Sequence, residues 1–409
     1  MATTIKVRPA GLTPTYNETI VVLEDQNVNL DNFKWLVYIY KGVSTDADYQ
    51  LLSNIVILPN PEGYGVIDFH RHIENHISTS FFPADIDKVS GSVTNEGLKW
   101  SFEVTAQYSN TETVQTFPSG SNVIYSFNGA LSFQGFRLWD SLDYEMSNTS
   151  ASDTKFLLEG SNTLDVSLND RVFVNSFMNT SPFTLLKIET DNGVYTVPQS
   201  FTPSGQHFIN QNKIGAKDIL ESTDTFTVVS GALPIVDLDT TFIKVTPLNN
   251  SSASVGETVT LNVKDYCSKH EEIRFFYMDK LGSYLPITFN KVSKNNITNT
   301  RNNYKQNYGS FDSVSNTYGY TTYDRGITTY DLTSTEVITC TSDWMNEETS
   351  RMVVSMLNSP NVYIQNSLSE YIAINITTNS YEQKKTVNDK LINYTISFEY
   401  SNTNTNQRG

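Results

Sequence analysis

The sequence predicts a mainly β protein, built from two or three β-sandwich or barrel-like domains with a few short helices. Its 23 Tyr and 22 Phe, together with many β-branched and hydroxylic residues, fit a pleated, half-buried surface better than a helix. Its 409 residues exceed what one ordinary hydrophobic core holds, so more than one domain is expected. With 38% hydrophobic residues, the chain can bury enough apolar surface to fold.

The N-terminal domain is predicted over residues 1–145, as strands with one short helix. Its Lys34–Tyr40 stretch alternates apolar side chains between two faces, which is typical of a strand in a sheet. Asp68 stands at the predicted start of the helix, where its carboxylate can accept hydrogen bonds from backbone N–H groups of the first turn. The apolar stripe of this helix is Phe69, Ile73 and Ile77. The other strands predicted here are Thr19–Leu23, Ser53–Leu58, Gly97–Tyr108 and Asn122–Phe133.

Two polar, low-complexity runs divide the rest of the chain. Met146–Asp153 separates the N-terminal domain from a middle β domain predicted over 154–246. Leu248–Val255 separates the middle domain from a C-terminal β domain predicted over 256–401. Within the middle domain, Asp191-Asn192-Gly193 joins two strands, and Asn-Gly is favoured where a tight hairpin turn needs positive φ.

The C-terminal domain combines strands with one longer helix. The helix is predicted over 346–358, with Glu347 and Glu348 in its first turn and Ser359-Pro360 at its end. Its apolar stripe is Met352, Val353, Met356 and Leu357. The strands predicted here are Glu257–Val263, Glu272–Tyr277, Leu285–Phe289, Tyr371–Ile376 and Leu391–Tyr400.

Residues 291–335 form a long arm within the C-terminal domain. The segment is rich in Asn, Tyr, Thr and Gly and has few aliphatic residues, so it cannot offset the entropy cost of ordering itself alone. A loop of this length inside a domain is usually disordered or functional. Because tyrosine provides a large contact area at low entropic cost and is enriched at interfaces, we interpret the segment as an assembly arm.

The charge, the cysteines and the hydropathy exclude several classes of protein. The net charge is −16, and no basic cluster is present that could displace counterions from phosphates, so specific nucleic-acid binding is not expected. No stretch approaches the roughly 18 consecutive apolar residues of a membrane span, and the N-terminus lacks the apolar core of a signal peptide. Cys267 and Cys340 lie 73 positions apart and do not form the two ligand pairs of a zinc site, so two reduced thiols are expected.

The sequence predicts no catalytic, cofactor-binding or metal-binding residues. His72 and His76 lie at i, i+4 on the predicted helix, but a metalloprotease needs Glu directly after the first His, and Ile73 stands there. Asp46 and Asp48 lack the Gly and the distal Glu of a calcium-binding EF-hand loop. Neither a Gly-x-Ser-x-Gly elbow nor a phosphate-binding glycine loop occurs.

Two C-terminal blocks carry a resemblance to a known family. Arg274–Phe289, RFFYMDKLGSYLPITF, reads as strand, turn and strand, and Thr339–Pro360, TCTSDWMNEETSRMVVSMLNSP, reads as strand, polar cap and amphipathic helix. This order resembles the C-terminal part of a virion structural protein of short-tailed bacteriophages of Bacteroidota, the crAss-like group and its marine relatives. In that family the first block has an aromatic residue, Asn, Leu-Gly-Gly and further aromatics. Here Asp279 replaces the Asn and Ser283 the second Gly.

The N-terminal half carries a second resemblance to the same family. It consists of Asn32–Trp35 through Ile39-Tyr40, followed by Leu58–Asp68. The two resemblances therefore cover both ends of the chain. They imply a tail or neck component of the virion, and no enzyme family is suggested.

The resemblance implies a non-enzymatic virion structural protein, a tail hub or neck component that forms a ring around the DNA channel. Its partners would be copies of itself and other phage tail or neck proteins, and it would be assembled in the host bacterial cytoplasm. One alternative is a tail-fibre or appendage module that binds a host surface polysaccharide. Aromatic residues that could stack on sugars are Phe136, Trp139, Tyr318, Tyr320 and Tyr323. Another is a β-structured depolymerase, although the chain has no catalytic motif.

Overall fold

The computed structural model is mostly β, with 46% strand, 9% helix and several sheets, as the composition predicts. It describes residues 3–9, 11–78, 87–93, 96–109, 111–115, 122–178, 181–199, 201, 208–265, 269–366, 370–378 and 392–402. The chain forms two compact units. The first unit comprises Met1–Tyr266, Tyr277–Ile287 and Arg351–Ser359, and the second comprises Cys267–Phe276, Thr288–Ser350 and Pro360–Gly409.

The first unit begins with two sheets. Strands β1, β3 and β6 form one sheet, and β2, β10, β8, β4 and β5 follow one another in the second, with β9 also paired to β8. The β2–β10 pair is parallel, and the other pairs of these sheets are antiparallel. The strands are β1 Thr4–Val7, β2 Leu12–Pro14, β3 Ile20–Glu24, β4 Lys34–Lys41, β5 Gln50–Ile57, β6 Tyr64–Asp68, β7 Ser92–Val93, β8 Gly97–Tyr108, β9 Thr111–Gln115 and β10 Val123–Phe127.

Side-chain alternation along β4 and β8 builds the hydrophobic cluster of these sheets. Trp35 of β4 and Trp100 and Phe102 of β8 are fully buried in it. The ring of Phe69 lies 5.1 Å from that of Trp100 and 5.3 Å from that of Phe102. Val37 and Ile39, which share a face with Trp35, are also fully buried. The alternation predicted for Lys34–Tyr40 is therefore confirmed.

The helix predicted after Asp68 is a single turn. Helix α1 spans His70–Ile73, and a 3-10 helix, Glu74–His76, follows it. Asp68 Oδ1 accepts hydrogen bonds from the backbone N–H of His70 at 3.2 Å and of Thr19 at 2.9 Å. The predicted stripe holds, because Phe69 and Ile73 are fully buried and Ile77 packs partly buried against the same cluster.

The prediction of one strand over Asn122–Phe133 is wrong at its C-terminal end. Strand β10 ends at Phe127, and Phe133 instead begins helix α2, Phe133–Arg137. The side chain of Ser132 accepts a hydrogen bond from the N–H of Gly135 at 3.2 Å. This N-cap satisfies one of the free N–H groups at the helix start, which favours a helix over a continued strand. A second 3-10 helix, Ser141–Tyr144, follows.

A six-stranded sheet occupies the middle of the chain. Its strand order is β11-β18-β17-β13-β14-β16. The elements of this region are β11 Thr163–Val166, β12 Phe173–Phe177, β13 Leu185–Thr190, β14 Gly193–Pro198, β15 Ile209–Lys213, α3 Ala216–Leu220, β16 Thr227–Gly231, β17 Phe242–Leu248 and β18 Val259–Val263. The predicted hairpin is confirmed, since β13 and β14 are paired along their length and Thr190 lies opposite Gly193 at the turn. Gly193 has φ +151°, and a Cβ there would lie 2.2 Å from the carbonyl oxygen of Ser230.

The run predicted as the second boundary, Leu248–Val255, connects β17 to β18. These strands are neighbours in the six-stranded sheet, with Val245 opposite Val259. The carbonyl of Asn249 accepts a hydrogen bond from the N–H of Ser252 at 2.9 Å, which closes a turn in the connection. The division into three domains stays a prediction.

Strands β12 and β15 form a sheet that also includes β7 and Tyr284. Every residue of β15 is buried although four of the five are polar. Asn210 Nδ2 donates to Asn212 Oδ1 at 2.9 Å, and Asn212 Nδ2 donates to Ser176 Oγ at 3.1 Å. Side-chain hydrogen bonds thus compensate part of the cost of burying these amides.

The block Arg274–Phe289 forms the predicted hairpin, with β19 Ile273–Met278 and β20 Tyr284–Phe289. Its turn, residues 279–283, belongs to the first unit. Asp279 is buried, and its Oδ1 accepts from the N–H groups of Leu281 at 2.9 Å and Ser283 at 2.8 Å. Its Oδ2 accepts from the N–H of Glu159 at 2.9 Å. Gly282 has φ +86°, a conformation that favours glycine.

Ser283 provides a second anchor for this turn. Its hydroxyl donates to the carbonyl of Leu157 at 2.5 Å and accepts from the N–H of Asn175 at 3.0 Å. Lys280 forms an ion pair with Glu159 at 2.5 Å between Nζ and Oε1. Asp279 and Ser283 therefore each tie the turn to other parts of the first unit.

The second unit contains a sheet that ends in a long hairpin, and strands β22 and β23 form a separate two-stranded sheet. Neighbouring strands in its sheet are β21, β24, β27, β26 and β25 in that order, all antiparallel. The strands are β21 Ser293–Lys305, β22 Ser310–Asp312, β23 Thr317–Gly319, β24 Ile327–Thr341, β25 Val362–Gln365, β26 Tyr371–Ile376 and β27 Thr395–Tyr400. Ile396 and Phe398 of β27 are buried, as its alternation predicts.

Helix α4 spans Glu347–Leu357, within one residue of the prediction at each end. Asn346 caps it, because its Oδ1 accepts from the N–H of Thr349 at 2.8 Å. Val353 and Met356, from the predicted apolar stripe, are fully buried. None of the helices in the described part of the chain has the length and apolar character needed to cross a membrane.

Cys340, in β24, is a free and buried thiol. Burial raises its pKa to about 12, so the thiol stays protonated near neutral pH. The other cysteine, Cys267, lies outside the described residues. The prediction of two reduced thiols therefore has support at Cys340 alone.

Met356→Asp is expected to lower the free energy of unfolding by several kcal/mol, because it places an unpaired carboxylate in a fully buried position. Glu348→Lys, on the exposed first turn of the same helix, is the control and should cost about 1 kcal/mol or less. Urea unfolding of both variants measures the difference. Equal stabilities would show that the Met356 side chain is not in a core.

Asp279→Asn is expected to cost about 1–3 kcal/mol, because the amide NH₂ would face the N–H of Glu159 and one hydrogen bond would be lost. Burial raises the pKa of Asp279 to about 7, despite the N–H groups that favour its charged form. The folded protein therefore holds a proton that the unfolded chain releases between about pH 4 and pH 7.

The contribution of Asp279 to stability should be full below its ordinary pKa and lost as the pH rises to about 7. The wild type should be more stable than Asp279→Asn near pH 4.5, and this difference should decrease and change sign as the pH rises to about 7. Urea unfolding of both proteins from pH 4.5 to 7.5 measures this change. A difference independent of pH would contradict a raised pKa.

Candidate functional site

The long hairpin of β21 and β24 is the candidate functional site. The ladder runs from Ser293 opposite Cys340 to Lys305 opposite Ile327. At its base β24 also pairs with β27, from Val337 opposite Glu399 onward. Residues 327–336 of β24, beyond the part of the strand that pairs with β27, pair with residues 297–305 of β21. We call residues 297–336 the free arm.

The segment expected from its composition to be a loop is therefore a β-ribbon. Strands β21 and β24 contain no Pro or Gly, and Thr, Ile and Tyr recur along them, which suits extended backbone. From Ile297 to Lys305 the free arm extends roughly 30 Å at about 3.3 Å per residue. One bulge, between Asn302 and Asn303, leaves Tyr330 without a ladder partner on β21.

The free arm buries almost none of its side chains. Ile297 is 58% exposed, and every residue of β21 after Ser293 is exposed. On β24, Thr328 is the buried residue of the free part. The ribbon is therefore held by its backbone hydrogen bonds, without a hydrophobic core of its own.

Local hydrogen bonds order the tip of the free arm. Strands β22 and β23 pair there. Asp312 accepts from the N–H of Val314 at 2.9 Å and from the hydroxyl of Ser315 at 2.7 Å, and the Ser315 hydrogen bond lowers the pKa of Asp312. The hydroxyl of Tyr318 donates to the carbonyl of Tyr308 at 2.5 Å. The tip thus has a defined shape.

Aromatic side chains cover this shaped tip. The rings of Tyr308 and Tyr320 meet edge to face at 5.4 Å, and those of Tyr304 and Tyr330 lie 6.1 Å apart. Tyr323 is 82% exposed. Contiguous exposed aromatic area usually marks a surface that binds another molecule, and a tyrosine can contact protein or stack on a sugar ring.

The two strands of the arm carry opposite charges. Strand β21 has the cations Lys294, Arg301 and Lys305 and no acid. Strand β24 has Asp331 and Glu336 and no base. None of these five residues forms an ion pair within the described part of the chain. The composition of the segment predicts no strands, so this separation of charge could not be predicted from the sequence.

The histidine cluster has structural contacts. His70 Nδ1 lies 2.7 Å from Asp68 Oδ2, and His72 Nδ1 lies 3.2 Å from Ser53 Oγ. His72 lies on α1 and His76 on the following 3-10 helix, so the expected α-helical i, i+4 spacing does not form. Among the described residues, no group of three or more His, Cys, Asp or Glu side chains could hold a metal ion.

The other candidate residues also have contacts within the first unit. Lys99 Nζ lies 2.9 Å from an oxygen of Asp46, and Lys41 Nζ lies 3.0 Å from Asp48. Asp46 and Asp48 therefore form ion pairs. The ring of Trp139 stacks on Tyr144 at 4.4 Å, and its indole N–H donates to the carbonyl of Leu12 at 2.8 Å. Each of these residues therefore has a structural role that requires no bound ligand.

No protein-family model matches the chain, and a search of curated proteins found no match.

Removing residues 299–334 is expected to change the stability of the rest of the protein by less than about 1 kcal/mol, because those side chains are nearly all exposed. Thr298 and Thr335 are opposite each other in the ladder, so an inserted Asn-Gly turn can join them. Thermal and urea unfolding of this deletion variant measure the effect. A large loss of stability would show that the arm packs on a core.

Proposed function

We propose that this protein is a non-enzymatic virion structural protein of a short-tailed bacteriophage, a tail hub or neck component that forms a ring around the DNA channel. The observation that carries the proposal is the free arm, residues 297–336. It is a shaped ribbon that buries almost nothing in its own chain and displays tyrosines at its tip. A protein that assembles with copies of itself uses such a segment to contact its neighbour.

Two further observations support the proposal. The blocks at 274–289 and 339–360 form a hairpin, a strand and a capped helix, in the order of the family that the sequence resembles. The net charge of −16 suits a protein past which DNA moves without binding, because like charges repel. Its partners would be other copies of this chain and other tail or neck proteins in the virion, assembled in the host cytoplasm.

The exposed tyrosines favour one other candidate function. Tyr308, Tyr320 and Tyr323 at the tip could stack on sugar rings, as in a tail-fibre or appendage module that binds a host surface polysaccharide. In that case the arm would bind a glycan, and its removal would leave the oligomeric state unchanged.

The deletion of residues 299–334 tests the proposed function. We expect the wild type to form rings in negative-stain images and the deletion variant to be monomeric by mass photometry, since its contact segment is gone. The double variant Tyr320→Ser and Tyr323→Ser separates the tip from the ribbon. It keeps the ladder and removes two exposed rings.

Normal ring formation by the deletion variant would contradict the assembly role of the arm. A wild type that stays monomeric and binds host polysaccharide through its tyrosines would support the fibre module. Cleavage of that polysaccharide would support a depolymerase.

A further inference from the structure

Strand β16 is the last strand at one side of the six-stranded sheet in the first unit. Among the strands that the structure describes, it pairs with β14 alone. All five of its residues are exposed, including Val228 and Val229. The strand contains neither proline nor a charged residue, either of which would hinder pairing at an edge. An edge with these properties is a template for another strand.

Three carboxylates lie near the C-terminal end of β16. That end pairs with Gly193, which follows Asp191 and Asn192 in the turn between β13 and β14. Asn192 Nδ2 donates to Asp237 Oδ2 at 2.8 Å, and the N–H of Asp239 donates to Asp237 Oδ1 at 3.0 Å. None of these three acids forms an ion pair within the described ranges. This end of the edge is therefore anionic.

Strand β21 of the arm has the opposite charge. It is the last strand of its own sheet, and its residues after Ser293 are all exposed. Its side chains form hydrogen bonds with β24 and with Gln306. It carries Lys294, Arg301 and Lys305 and no acid. Two β21 edges would oppose like charges, which destabilises paired strands, so this edge is suited to an uncharged strand with acids beside it.

We propose that β21 of one copy pairs with β16 of a neighbouring copy, so that the arm adds a strand to the six-stranded sheet of its neighbour. This inference rests on the proposed function, because it names the surface that the arm contacts. Backbone hydrogen bonds would provide the pairing. Attraction between the cations of β21 and the carboxylates of Asp191, Asp237 and Asp239 would select this edge. The pairing would also stabilise the arm, which is marginal as a two-stranded ribbon.

Either direction of pairing brings opposite charges together. Between Lys294 and Arg301, β21 has six uncharged residues, enough to face the five residues of β16. In an antiparallel pair the carboxylates lie beside Lys294, and in a parallel pair they lie beside Arg301 and Lys305. The contact is heterologous, because two different surfaces meet, and a heterologous contact gives a ring when its rotation closes.

The sign of a charge placed on β16 tests the proposal. Val229 is 62% exposed and is the extra residue of a bulge, without a ladder partner on β14, so a charged side chain there should leave the fold intact. Val229→Lys opposes the cations of β21 and should raise the concentration needed for assembly by about tenfold or more. Val229→Glu removes the same apolar side chain but attracts those cations, so it should assemble within about threefold of the wild-type concentration.

Reversal of the cations on β21 should invert this preference. The triple variant Lys294→Glu, Arg301→Glu and Lys305→Glu covers both directions of pairing and should assemble poorly, because its carboxylates meet those beside β16. Addition of Val229→Lys to the triple variant should restore part of the assembly, whereas addition of Val229→Glu should not.

Val66→Lys and Val66→Glu are the matched controls. Val66 lies on β6 of the same unit and is similarly exposed, so both variants should assemble as the wild type does. Mass photometry over a concentration series, with circular dichroism to verify folding, measures all variants.

The outcomes separate this inference from the proposed function. Equal assembly by Val229→Lys and Val229→Glu would overturn the inference, and so would a triple variant that Val229→Lys does not restore. If deleting residues 299–334 abolishes assembly while Val229→Lys assembles normally, the arm contacts another surface, and the proposed function stands without this contact. A deletion variant that assembles normally would contradict the proposed function itself.

Discussion

The backbone ladder between β21 and β24 is the interaction on which the arm depends. Each hydrogen bond of this ladder replaces hydrogen bonds to water, so its net contribution is about 1 kcal/mol. Ordering each residue costs about as much in conformational entropy, and Ile297 and the other exposed side chains add little burial to offset that cost. A ribbon so close to balance is stabilised by any further contact that pairs its backbone or buries its side chains.

The first unit contains a buried carboxyl group, that of Asp279, which is stabilised by hydrogen bonds. Asp279 lies in the turn of the β19–β20 hairpin, where three N–H groups donate to its two oxygens. Those donors favour the carboxylate, while burial favours the protonated acid and raises its pKa to about 7. With Ser283 linked to Leu157 and Asn175, the turn joins segments distant in sequence. A glycine at position 283 would provide no such link.

Elements with contrast between apolar and polar side chains could be predicted from the sequence. Lys34–Tyr40 and the helix at 346–358 are examples, because burial of one face imposes a period of 2 or 3.6 residues. Strand β15, INQNK, has no such contrast, since four of its five buried residues are polar and Asn212 is held by hydrogen bonds to Asn210 and Ser176. The strands of the arm were missed for the opposite reason: both faces are exposed, so no period forms. A segment that is rich in Thr, Asn and Tyr and lacks Pro can therefore form a β-ribbon, even where its composition predicts a loop.

The charge separation along the arm shows why net charge alone is a poor guide to its partner. The chain as a whole carries −16, yet β21 carries cations only and β24 anions only. Over the free arm, Arg301, Lys305 and Arg325 nearly balance Asp312, Asp324, Asp331 and Glu336. The arm is therefore close to neutral, although the chain as a whole is strongly acidic. A partner of the arm meets this local distribution of charge and not the average of the chain, because exposed charges more than about 10 Å apart are largely screened.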